Sequence, residues 1–120
     1  MTTHFLKAEV DAGFLKGGVL HNAGVYQVHT ARRENPGKVE VHALETDIFH
    51  MLEGEATLVT GGTVLDPVTV EPHEIRGTQI NGGESRHLRP GDIVVIPHGE
   101  PHWFKDVKAP VIYLAIKIRK

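Results

Sequence analysis

Two groups of residues in this 120-residue chain carry types and spacings that suit chemistry. In the second half the order is Gly91, five residues, Pro97, one residue, Gly99, two residues, His102, three residues, Asp106. Gly91 allows a tight turn into a strand, and Pro97 with Gly99 shapes a rigid corner that re-aims the chain. His102 then starts a strand, so Phe104 shares its face and Trp103 takes the other. Upstream, Glu40-Val41-His42 is followed by four residues, Asp47, six residues and Gly54. Glu40 and His42 share one strand face, and Asp47 shares a face with Phe49 and Met51. A lone carboxylate aimed into such an apolar interior is costly unless it is paired or metal-bound. Imidazole nitrogen and carboxylate oxygen together make a donor set for Fe(II), Mn(II), Ni(II) or Zn(II).

The composition limits the alternatives. Lys plus Arg is 13 and Asp plus Glu is 15, a formal net charge of −2. That near balance argues against a general nucleic-acid or membrane-surface binder, both of which need a basic excess. No stretch approaches the roughly 20 apolar residues of a membrane span. Met1 to Lys16 lacks the continuous apolar core of a secretory signal. There are no cysteines, which excludes disulfides and thiolate metal sites and suits a cytoplasmic location. Nine histidines is a high count for the length, and histidine is the commonest metal ligand.

The elements that must position these residues are short strands. Gly and Pro punctuate apolar runs throughout, the rhythm of an all-β sandwich or barrel. Val25–Thr30, Lys38–Ala43 and Asp47–Leu52 read as strands. Glu53-Gly54-Glu55 reads as a tight turn from which Ala56–Thr60 returns. Val64–Val70 is interrupted by Asp66-Pro67, and Glu74–Ile80, Ser85–Leu88 and Ile93–Ile96 follow. His102–Phe104 and Val111–Ile118 close the chain, giving about ten strands, and a closed barrel or jelly roll best hides their edges.

The Gly91–Asp106 pattern closely resembles the second conserved motif of the cupin family, with Asp106 where cupins usually have Asn. The first cupin motif reads His-x-His, three or four residues, Glu, six residues, Gly. Its counterpart here has Glu40 at the first His, Asp47 at the Glu, and Gly37 closer than the pattern asks for a leading Gly. The resemblance spans roughly Val25 to Ile118. It implies an all-β, single-domain cupin β-barrel (jelly roll) over residues 1–120, with a core of about 25–118 and an N-terminal arm 1–24. A β-excursion of about 63–83 would either cover the pocket mouth, extend a dimer contact, or be a plain surface hairpin. Carried over position by position, His42, His102, Asp47 and Glu40 would hold one divalent metal ion, Fe(II) or Mn(II) favoured, with Zn(II) or Ni(II) compatible.

The expected function is a metal-dependent enzyme acting on a small organic molecule. Dioxygenase chemistry comes first, because two His and one carboxylate leave positions open for substrate and O₂. Isomerase, lyase or cyclase chemistry on an enolisable carbonyl compound is second, with Glu40 or His29 moving the proton. A non-catalytic small-molecule or metal-binding barrel is the third reading, and a barrel that has lost its metal the fourth. Asp47 could alternatively be the ionic partner of a nearby Arg or Lys. His50 reads as a packed or subunit-interface residue, while His73, His87 and His98 read as solvated. Arg32 and Arg33 read as a surface pair, with anchoring of a substrate carboxylate as the alternative. The resemblance also implies a homodimer. The apolar run Val111–Ile118 suits its interface and equally suits a buried strand of a monomer.

Overall fold

The apolar runs form eleven strands, with one helix preceding them, in a computed structural model that describes residues 1–120. In chain order these are α1 (Lys7–Lys16), β1 (Gly18–Asn22), β2 (Tyr26–Arg33), β3 (Val39–His42), β4 (Glu45–Thr60), β5 (Thr63–Leu65), β6 (Val68–Glu71), β7 (Glu74–Gly77), β8 (Gln79–Asn81), β9 (Glu84–Leu88), β10 (Ile93–Ile96) and β11 (His102–Arg119). The main sheet runs β1-β2-β11-β3-β7-β6. β4 joins it along β11 and carries β9 and β10, while β5 and β8 pair separately. Every pairing is antiparallel.

Two long strands organise the barrel, and here the sequence reading needs correction. The turn expected at Glu53-Gly54-Glu55 is absent, and β4 runs through it as one 16-residue strand. His102–Phe104 and Val111–Ile118 are likewise the two ends of one 18-residue strand, β11. The register passes from Glu55 opposite Lys108 directly to Glu53 opposite Ile112, so Ala109–Val111 bulges out against Gly54. Gly54 has φ 77°. A Cβ there would strike the Pro110 carbonyl oxygen and lie 3.0 Å from both the Lys108 carbonyl oxygen and Val111 Cα. Glycine at this position therefore marks a crossing of two strands, not a reversal.

The inward residues of β4 and β11 form the core with their neighbours. Phe49, Met51, Ala56, Leu58, Leu88, Ile96, Phe104, Val111, Tyr113 and Ala115 make one buried cluster. Val39, Val59 and Ile80 make a smaller one, against which Trp103 and Val64 pack. Trp103 thus lies opposite Phe104, as alternation requires, and its Nε1 donates to the Gly37 carbonyl at 3.0 Å. The Val111–Ile118 run is hydrogen-bonded to β2 on one side and β4 on the other, so it is an internal strand of this chain.

Within residues 1–24 the chain forms α1, which buries none of its own residues, and β1, which pairs with β2. Residues 63–83 hold β5 to β8, of which β7 pairs with β3 and so brings the excursion up to the strand that carries Glu40 and His42. No helix is long and apolar enough to cross a membrane.

Candidate functional site

Antiparallel pairing places the polar residues of the barrel interior side by side. In register, His42 lies opposite Glu74 and Glu40 opposite Arg76. Glu40 also lies opposite His102 on its other side, and Asp47 lies opposite Lys117. The side chains meet in a cavity of about 340 Å³ that His29, Arg33, Gln27 and Glu45 also line, with Phe49 and Tyr113 among its apolar wall. Phe49, Phe104 and Tyr113 pack together with ring centroids 4.8–6.0 Å apart, and Phe49 meets the His102 ring edge-on at 6.5 Å.

The corner predicted from Pro97 and Gly99 ties the two motifs together. Gly99, with φ 83°, donates its N–H to the His42 carbonyl at 2.8 Å. His98 N–H donates to Thr46 Oγ1 at 3.2 Å. His42 and His102 are thereby brought to a ring separation of 5.1 Å.

Hydrogen bonding fixes which imidazole nitrogens face the centre. His42 Nδ1 lies 2.7 and 2.8 Å from the two Glu74 carboxylate oxygens, so it carries the proton and donates it. His102 Nδ1 donates to the Glu100 carbonyl at 3.4 Å. Both Nε2 lone pairs are left for the interior. Burial pushes the His102 imidazole down to about 4, against the opposing pull of Asp47, so its ring is neutral at pH 7.

Asp47 sits between the two rings, 1% exposed. Its Oδ1 accepts from Lys117 Nζ at 2.7 Å, an ion pair of the kind one reading of the sequence allowed. Its Oδ2 is 3.5 Å from His42 Nε2 and 3.6 Å from His102 Nε2, and it has no hydrogen-bond partner. Glu40 completes the ring, with Oε2 3.9 Å from His102 Nε2. Asp47 Oδ2 is thus a buried carboxylate oxygen without a donor, faced by two imidazole nitrogens, a donor set that suits a metal cation. Glu40, His42 and His102 have ligand atoms close enough together to hold one metal ion. By donor type and placement, these residues fit a divalent metal.

Glu40 is gripped from two sides. Arg33 reaches Oε2 at 3.2 Å and Arg76 reaches Oε1 at 3.4 Å. Burial acts to raise its carboxyl, but His102, Arg33, His42 and Arg76 together hold it below the ordinary range. Arg33 also donates Nε–H to the Tyr113 hydroxyl at 3.0 Å and lies 4.5 Å over the Phe104 ring. Arg33 is therefore a cavity residue, whereas Arg32 pairs with Glu34. His29 lines the cavity and bonds through Nε2 to Gln27 Oε1 at 2.8 Å. Burial, then Lys117, lowers its ring. His50, His73, His87 and His98 are exposed, and His87 pairs with Glu55 at 2.6 Å.

Lys117, Glu74, Arg76 and Tyr113 were not singled out from the sequence. No spacing rule marks them, and a cross-strand register is what brings them in.

No protein-family model matches the chain, and no curated protein matches it in sequence. Solved structures do. A cupin protein from Bacteroides fragilis superposes with TM-score 0.59 at 16% identity, covering 86% of this chain and 75% of that one. The chain has the cupin fold. Two enzymes are also similar in structure. Hydroquinone 1,2-dioxygenase from Sphingomonas sp. TTNP3, with 4-hydroxybenzoate bound, gives TM-score 0.63 at 17% identity, covering 86% of this chain and 65% of that one. An oxalate oxidase gives TM-score 0.53 at 19% identity, covering 82% and 44% respectively. The chain therefore spans just under two thirds of the dioxygenase chain and under half of the oxidase chain.

Proposed function

We propose that this cupin is a metal-dependent enzyme of the dioxygenase type acting on a small organic molecule. The observation that carries the reading is the orphaned Asp47 Oδ2 between the Nε2 atoms of His42 and His102. His42, His102 and Asp47 would hold the metal, with Glu40 as a fourth ligand. A divalent ion held there, iron foremost, supplies polarisation of substrate oxygens and activation of O₂ beside the substrate.

The surrounding residues prepare that centre. Glu74 holds the proton on His42 Nδ1, and the Glu100 carbonyl holds the one on His102 Nδ1. Such partners fix ring orientation and raise ligand basicity. Arg33 and Arg76 hold the Glu40 carboxylate in place and ionised, which makes it a poorer proton acceptor and a better permanent anion. Phe49 and Tyr113 supply an apolar wall against which a planar ring can pack.

One observation supports a second reading, isomerase or lyase chemistry on an enolisable carbonyl compound. His29 lines the same cavity, donates Nε2–H to Gln27, and so keeps Nδ1 as a basic nitrogen. The two readings separate in one experiment. Iron-loaded protein is offered a panel of hydroxylated aromatic acids and phenols in an oxygen electrode, beside His29→Gln and His42→Ala. Substrate-dependent O₂ uptake that survives in His29→Gln and is lost in His42→Ala supports the dioxygenase. Turnover of a carbonyl compound without O₂ uptake, abolished in His29→Gln, moves the assignment to the isomerase or lyase.

A further inference from the structure

Of the three cationic side chains that line the cavity, Lys117 is the one paired with Asp47. Lys117 Nζ lies 2.7 Å from Asp47 Oδ1 and 3.5 Å from His42 Nε2, so it touches two of the groups assigned to the metal. Its side chain is 18% exposed, against 1% for Asp47. No other lysine or arginine pairs with Asp47; Arg33 and Arg76 are engaged by Glu40, Glu74 and Tyr113. Lys117 extends from β11 in register with Asp47 on β4, so the contact is fixed by the strand pairing that builds the barrel.

We propose that Lys117 is a resident counter-cation that neutralises Asp47 in the metal-free protein and sets the affinity for divalent metal by opposing it. This rests on the metal reading of the site. Two effects act in the same direction. In the metal-free form, the ammonium compensates a buried carboxylate that otherwise faces only acceptors, which stabilises the empty site. With metal bound by Asp47 and His42, the same ammonium would repel the dication, a repulsion worth several-fold or more in affinity even at high effective dielectric. The site thus holds its metal less tightly than the same ligands would without the lysine. A lysine present merely to fill space would influence stability without influencing metal affinity.

The test is calorimetric titration of chelator-treated protein with Mn(II) chloride at pH 7.5, for wild type, Lys117→Met, Lys117→Gln and Lys117→Arg. Loss of the charge in Met and Gln is expected to lower the Mn(II) Kd by about tenfold or more. Arg, which keeps the charge, is expected to show no such tightening. The metal-free Met variant is expected to melt lower than wild type and to gain more in Tm on adding Mn(II). Gln keeps a donor for Asp47 Oδ1 and provides the comparison if Met folds poorly. An unchanged or raised Kd in both neutral variants overturns the role of Lys117 while leaving the metal site standing. Binding in none of the four proteins overturns the metal reading and this inference together.

Discussion

At the scale of single residues, the site depends on which nitrogen of each histidine carries the proton. Glu74 accepts from His42 Nδ1 through both oxygens, so Glu74→Ala is expected to weaken metal binding by roughly 10–100-fold with the fold retained. Titration of the variant with Mn(II) measures it, and wild-type affinity would remove Glu74 from the site. His102 gives a second expectation. Unfolded, its ring takes up a proton near pH 6.5; folded, burial delays that to about pH 4. Through this window the unfolded chain binds more protons, so metal-free stability falls as pH drops from 6.5 toward 4. His102→Gln is expected to flatten that part of a Tm-against-pH curve, and an unchanged slope would show the ring titrating freely. The candidate residues His42, His102, Asp47 and Glu40 were legible in the sequence through the two motifs that resemble those of cupins, one of which holds Glu40, His42 and Asp47 close together. Glu74, Arg76 and Lys117 were not, since each owes its place to a strand distant in sequence.

At the scale of elements, the two long strands change face along their length. On β11, His102 and Phe104 point inward, as do Val107, Val111, Tyr113, Ala115 and Lys117 further on. Strict alternation counted from His102 puts position 117 outside. The register shift between Phe104 and Asp106 reverses that parity. β4 does the same across Gly54, with Asp47, Phe49 and Met51 inward before it and Ala56 and Leu58 after it. Alternation reasoning therefore reads each half of a strand correctly and misplaces the other, and a glycine that serves a strand crossing looks like a turn. Gly54→Ala is expected to destabilise the protein by at least about 2 kcal/mol, from left-handed backbone strain plus the clash with Pro110 and Val111. Denaturant unfolding measures this. A loss under about 0.5 kcal/mol would show that the crossing yields easily. The β5–β8 excursion contributes Glu74 and Arg76, so it is a wall of the cavity and more than a surface hairpin.

At the scale of the whole molecule, the barrel encloses more opposing charge than its net charge of −2 suggests. Glu40, Glu45, Asp47 and Glu74 meet Arg33, Arg76 and Lys117 in one cavity, together with His29, His42 and His102. Gathering so many charged groups around the fully buried Asp47 is costly, and such clusters mark functional sites. All-β architecture and the barrel followed from turn signals and alternation, because these are short-range properties. The cavity's charge balance did not, because it is a property of the closed barrel. The most direct measurement is metal content by mass spectrometry on untagged protein purified without added metal, beside His42→Ala and His102→Ala. About one equivalent of a transition metal, lost in both variants, is the expected result, with iron favouring O₂ chemistry. No metal as purified, and none gained on reconstitution with Fe(II), Mn(II), Zn(II) or Ni(II), would contradict the metal-dependent enzyme and leave a binding barrel.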